Sequence, residues 1–128
     1  MGDRICISVV DDCERSPTLY CHWDGLRAVR AANAAIKESR MEASNVLCNT
    51  LIILCGGKTW DRNYYLYNAG KAAGMADFDW GDWTLWLNGE TWLYTNETSN
   101  GRVTAEYSIE EAEAFAISKG YRRDAQDN

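Results

Sequence analysis

The chain has one proline and one histidine in 128 residues, and only two phenylalanines. A single Pro, with no low-complexity stretch, argues against a disordered linker or tail-like protein. A single His removes every metal or catalytic scheme that needs two imidazoles, including the H-E-x-x-H helix. No apolar run approaches the length needed to cross a bilayer; the longest, Leu51 to Cys55, covers about a quarter of that span. Positive charge is also scarce: 13 Lys and Arg against 19 Asp and Glu leave a formal net charge of −6. That balance excludes non-specific binding to nucleic acid, which draws on a basic surface. Neither a Gly-rich phosphate loop nor G-x-S-x-G occurs.

Five cysteines are present, Cys6, Cys13, Cys21, Cys48 and Cys55, with no C-x-x-C pair. An odd count without that spacing reads as free thiols in a reducing compartment, with no structural zinc. Met1-Gly2-Asp3-Arg4 runs straight into a mixed segment and is not read as a secretion leader. Cytoplasmic location is therefore expected, and Asn96-Glu97-Thr98 is read as a chance glycosylation match. No cofactor and no metal are expected.

Aromatics are plentiful instead: six Trp and seven Tyr bring the aromatic share to 12%. With 46% hydrophobic residues, the length suits one domain over residues 1–128. Arg4 to Val10 and Thr18 to His22 are predicted strands, paired as an antiparallel hairpin across a short charged connector. Leu26, Val29, Asn33 and Ile36 recur at helical spacing, so a helix is predicted from Leu26 to about Arg40, with Asp24 or Gly25 in its cap region. Ser44 is the expected cap of a second helix, which buries Val46, Leu47, Leu51 and Leu54 and ends at Gly56-Gly57.

Tyr64 to Tyr67 is a third predicted strand. Trp83 to Leu87 and Thr91 to Thr95 form a hairpin across Asn88-Gly89, and Asn100-Gly101 turns into a further strand over Arg102 to Ala105. Ser108 and Glu111 match a capping box for a final helix from Ile109 that stops at Gly120, leaving a frayed tail over 121–128. The expected class is α+β: a largely antiparallel sheet with an N-terminal hairpin, two central helices, a C-terminal meander and a terminal helix.

Both faces of the predicted strands carry large rings. Trp83 points one way and Trp86 the other; Tyr65 and Tyr67 oppose Tyr64 and Leu66. Helices on both sides, or one face kept for a ligand or another subunit, would explain this. Self-association is expected on that ground.

The densest polar constellation is Tyr20-Cys21-His22-Trp23-Asp24-Gly25, at a strand end leading into a helix. His22 and Asp24 can bind a metal, move a proton or grip a phosphate; equally, Asp24 can simply cap the helix and His22 bond to backbone. Helix N-terminal N–H groups favour an anion, and Arg27 and Arg30 lie in the first turns. Cys21 and His22, adjacent on a strand, face opposite ways, which disfavours a Cys–His nucleophile. Asp77-x-Asp79-x-x-Asp82 surrounds Phe78, Trp80 and Trp83 without EF-hand spacing. It reads as a solvated loop, as a site for a hard cation, or as a recognition loop with Trp80 and Trp83 as stacking rings.

This Y-x-H-W-D-G turn resembles one found in uncharacterised small proteins of phages and prokaryotes, over the first third of the chain. Leu26-Arg27 follows where those proteins continue into Tyr-Pro. The resemblance implies a small cytosolic, phage-borne protein and carries over no activity and no catalytic residue. The leading expectation is a non-enzymatic protein that sequesters a nucleotide-like small ligand in host–virus conflict, as phage counter-defence. Its expected contacts are His22, Trp23, Asp24, Arg27, Arg30, Asp79, Trp80 and Trp83. The alternatives are an acidic protein–protein inhibitor of a host enzyme and a metal-dependent phosphodiesterase using His22 and Asp24.

Overall fold

The structure, a computed structural model, describes residues 4–22, 25–38, 42–56, 63–68, 80–88, 91–97 and 103–127. Isoleucines and a valine alternating with small residues form β1 (Ile5–Val10), which pairs antiparallel with β2 (Thr18–Cys21). Two helices follow, α1 (Gly25–Glu38) and α2 (Ala43–Cys55). Then come β3 (Tyr64–Tyr67), β4 (Gly81–Asn88), β5 (Thr91–Glu97), β6 (Val103–Ser108) and α3 (Ile109–Asp127). The six strands make one sheet in the order β3-β2-β1-β4-β5-β6. Only β1 and β4 run parallel; every other pair is antiparallel. The fold is α+β, with the expected N-terminal hairpin and C-terminal meander.

The described helices share one side of the sheet. Ile5, Ile7 and Val9 of β1, Leu19 of β2, and Trp83 and Leu85 of β4 form one apolar cluster with Leu26, Val29, Val46, Leu47, Ala112 and Ala116 of the helices. Helix α1 packs between α2 and α3. That position explains its alanines: Ala28, Ala31, Ala32 and Ala35 are all buried, and small side chains let two helices approach from either side. Asn33 is the polar member of this layer. It accepts a hydrogen bond from the Tyr94 hydroxyl at 2.6 Å and donates to the Ile109 carbonyl at 3.3 Å, tying α1 to β5 and to the start of α3. Burial pushes the Tyr94 phenol far above its ordinary pKa, and the Glu113 carboxylate adds to this, so the hydroxyl stays a donor.

Helix ends depart from expectation in two places. Ser44 does not cap α2; Glu42 occupies the cap position and makes no side-chain cap bond. The carboxylates come from the β1–β2 connector instead. Asp11 Oδ2 accepts the Ala43 N–H at 2.7 Å, and Glu14 Oε1 accepts the Ser44 N–H at 2.9 Å and the Ser44 hydroxyl. Anions at a helix N-terminus satisfy orphan donors and oppose the dipole. At the other end of α2, Gly56 takes the left-handed conformation (φ 59°, ψ 39°) and its N–H reaches the Ile53 carbonyl. Helix α3 opens with the expected box, Ser108 N–H to Glu111 at 2.9 Å and Glu111 N–H to Ser108 Oγ at 3.1 Å. It does not stop at Gly120, however. The segment expected to fray from Tyr121 forms its last turns, because one glycine costs a helix only about 1 kcal/mol and good helix formers follow it.

Candidate functional site

The residues expected to form one anion-binding corner go to three different places. His22 leaves β2 on the side of the sheet away from the helices, opposite to Cys21, and its ring Nδ1 meets the Tyr20 hydroxyl at 2.6 Å. Arg27 reaches the Leu54 carbonyl near the C-terminal end of α2 at 3.4 Å, where a cation complements the helix dipole. Arg30 faces Glu113 of α3 at 3.7 Å, an exposed pair. Trp23, Asp24 and Asp79 lie outside the described residues.

Trp80 and Trp83 are core residues, 5% and 2% exposed, and their expected role as open stacking rings is corrected accordingly. Trp80 packs so tightly on the first residue of α1 that a Cβ at Gly25 would stand 2.1 Å from its Nε1. The Trp83 indole donates to the Trp80 carbonyl at 2.8 Å and stacks on Tyr107 (centroids 5.4 Å apart), which stacks in turn on Phe115 at 5.1 Å. Ring area of this kind stabilises most when removed from water, and the helices at this end of the sheet supply the cover. Sequence proximity to Asp77, Asp79 and Asp82 made the two rings look solvated; the long-range packing of α1 and α3 overrides that.

Among the described residues, the rings that remain open stand on the sheet face away from the described helices, the helix-free face. Sheet register lays out three rows there. One row runs Tyr65, Tyr20, Cys6, Asp82 and Glu97 across β3, β2, β1, β4 and β5. A second pairs Tyr67 with Thr18 at one side, and Ser8, Thr84, Thr95 and Glu106 at the other. A third runs Val10, Trp86, Leu93 and Ser108. The floor is small and polar: Cys6, Ser8, Thr18, Thr84 and Thr95 are all buried. The walls are aromatic. Tyr20 lies 6.0 Å from Tyr65 and 6.5 Å, edge-on, from Tyr67, and the latter two are 49% and 39% exposed.

Arg15, from the β1–β2 connector, folds onto the same face. Its guanidinium donates to Ser8 Oγ at 3.0 Å and stands 5.9 Å from the Trp86 ring centre. The Trp86 indole donates to Thr95 at 2.8 Å, which lays the ring along the sheet. The same face presents Asp82, Glu97 and Glu106, with Asp11 and Asp12 at one end of it. A groove of about 390 Å³ opens between the Asp11-Asp12 turn and Trp86.

Burial pushes the Cys6 thiol up to about 12, helped by the charge of Asp82 and by the hydrogen bond the thiol gives it, so the sulfur stays protonated at neutral pH. Among the described residues, no group of three or more His, Cys, Asp or Glu side chains is arranged to hold a metal ion. No helix among them is long and apolar enough to cross a membrane. The signals for Tyr20, Tyr65, Tyr67 and Trp86 were present in strand alternation, whereas Arg15 sat unremarked in a charged connector. Comparison with protein-family models, with curated proteins and with solved structures finds no match to this chain.

Proposed function

We infer that this protein is a binding module whose helix-free sheet face recognises a basic protein partner. The observation that carries the reading is the composition of that face: Tyr20, Tyr65, Tyr67 and Trp86 stand over a polar floor, edged by Asp82, Glu97, Glu106, the Asp11-Asp12 turn and Arg15. Tyrosine and tryptophan give large contact area at low cost in side-chain entropy, and they are enriched where proteins meet. The carboxylates add attraction for a positive partner and faster encounter at low salt. The net charge of −6 acts in the same direction.

A nucleotide-like ligand would find less here. Arg27 and Arg30, the cations expected to hold its phosphates, are engaged on α2 and α3, and Trp80 and Trp83 are interior.

Affinity capture tests the proposal. The immobilised wild-type chain is expected to retain a basic protein that elutes as salt is raised, and a Tyr65→Ser/Tyr67→Ser variant is expected to lose it. Both tyrosines are exposed on an edge strand, so the variant should fold. Retention of the same partner by the variant, or heat from mononucleotide titration that disappears in Arg27→Ala, would overturn the reading.

A further inference from the structure

We propose that the groove at the top of the helix-free face is a pocket for one arginine or lysine side chain of that partner. This rests on the reading of the face as a protein-binding surface and names the chemistry of its anchor. Val10, Trp86 and Leu93 form the apolar wall, Thr95 the base, and Asp12 and Glu106 the rim. The volume, about 390 Å³, falls in the range of sites that enclose a small group. Asp12 and Glu106 are exposed and make no hydrogen bond or ion pair among the described residues. Asp11 is already committed to the α2 N-terminus and to the turn, so these two carboxylates are the rim groups left to meet a donor.

The shape of the occupant follows from the wall. An aliphatic stem suits Val10 and Leu93, and a cationic head suits the indole face with a carboxylate to either side. Trp86 already shows that contact in miniature, with the chain's own Arg15 guanidinium over its ring outside the groove. A neutral or acidic side chain would leave both carboxylates without a counter-charge, so charge selects the occupant.

The probe is the capped peptide acetyl-Gly-Arg-Gly-amide, with its citrulline counterpart as a neutral isostere. Binding is read from the indole N–H resonance of Trp86, assigned with a Trp86→Phe variant, and from the Thr95 amide. The arginine peptide should shift both signals with a Kd on the order of 1–10 mM. Glu106→Gln and Asp12→Asn should each weaken it about threefold, and citrulline should bind about tenfold more weakly. Equal shifts from citrulline, unchanged affinity in both carboxylate variants, or no shift at Trp86 at about 50 mM peptide would overturn the pocket. If Glu106→Gln leaves the salt concentration at which the partner elutes unchanged while Tyr65→Ser/Tyr67→Ser abolishes capture, the pocket is wrong and the face stands. If neither variant changes the elution, the face is wrong as well.

Discussion

Replacing Asp11 by Ala should destabilise the whole domain although the residue lies in a loop. Its carboxylate accepts three backbone N–H groups, from Ala43 at 2.7 Å, Cys13 at 2.6 Å and Glu14 at 2.9 Å. The last two belong to an exposed turn, where water replaces the lost bonds at small cost. Ala43 is different, because it is buried at the start of α2 and its N–H would be left without an acceptor. A lost cap costs about 0.5–2 kcal/mol and an orphaned buried donor about 1–3 kcal/mol. Asp11→Ala is therefore expected to cost about 2 kcal/mol, or a fall in Tm of about 6–10 °C. Asp11→Asn keeps an acceptor oxygen and loses the charge, and should cost about half as much.

The pH dependence gives a second readout. The Ala43 N–H, followed by that of Cys13, holds the Asp11 carboxyl below the usual carboxylate range. A depressed folded-state pKa means the contribution is fully present above about pH 4, the unfolded value, and fades as pH falls through the folded value. Urea denaturation of wild type and Asp11→Ala from pH 7 down to 2 should thus show a gap that closes below about pH 4. A gap under about 0.5 kcal/mol at pH 7, or one that stays constant to the acid limit, would refute the capping argument.

Gly25→Ala should drive a methyl group into the Trp80 indole, whose ring is held in the core; thermal melts are expected to show a loss of more than about 2 kcal/mol. Asn33→Ala removes both the acceptor of the buried Tyr94 hydroxyl and the donor to Ile109, for a cost of about 2–3 kcal/mol in chemical denaturation. Iodoacetamide at pH 8, followed by mass spectrometry, should modify Cys13 and Cys48 quickly and leave Cys6, Cys21 and Cys55 intact until unfolding; fast modification of Cys6 would contradict its assigned protonation.

Local rules read the elements of this fold well. The four residues of β3, the antiparallel pairing of β4 with β5, and the Ser108–Glu111 box all follow from nearby sequence. What escaped was each feature set by a distant partner. Asp11 and Glu14 reach α2 across about thirty residues, so no window around Ser44 reveals them. Arg27 and Arg30 were placed on the correct helix, but what they touch belongs to α2 and α3. Trp80 was assigned to a wet loop by its acidic flanks, although its N–H bonds to the Arg4 carbonyl and its ring fills the space over Gly25. The aromatic excess on both strand faces was legible, while which face the described helices cover depends on tertiary packing.

The most direct measurement of the recognition surface is chemical-shift mapping of the complex with the captured basic partner. Perturbations are expected at Tyr20, His22, Tyr65, Tyr67 and Trp86, with the outer side of α1 and α3 around Arg30 and Glu113 unchanged. Perturbations gathered on Arg27, Arg30 and Lys37, with the helix-free face silent, would contradict it.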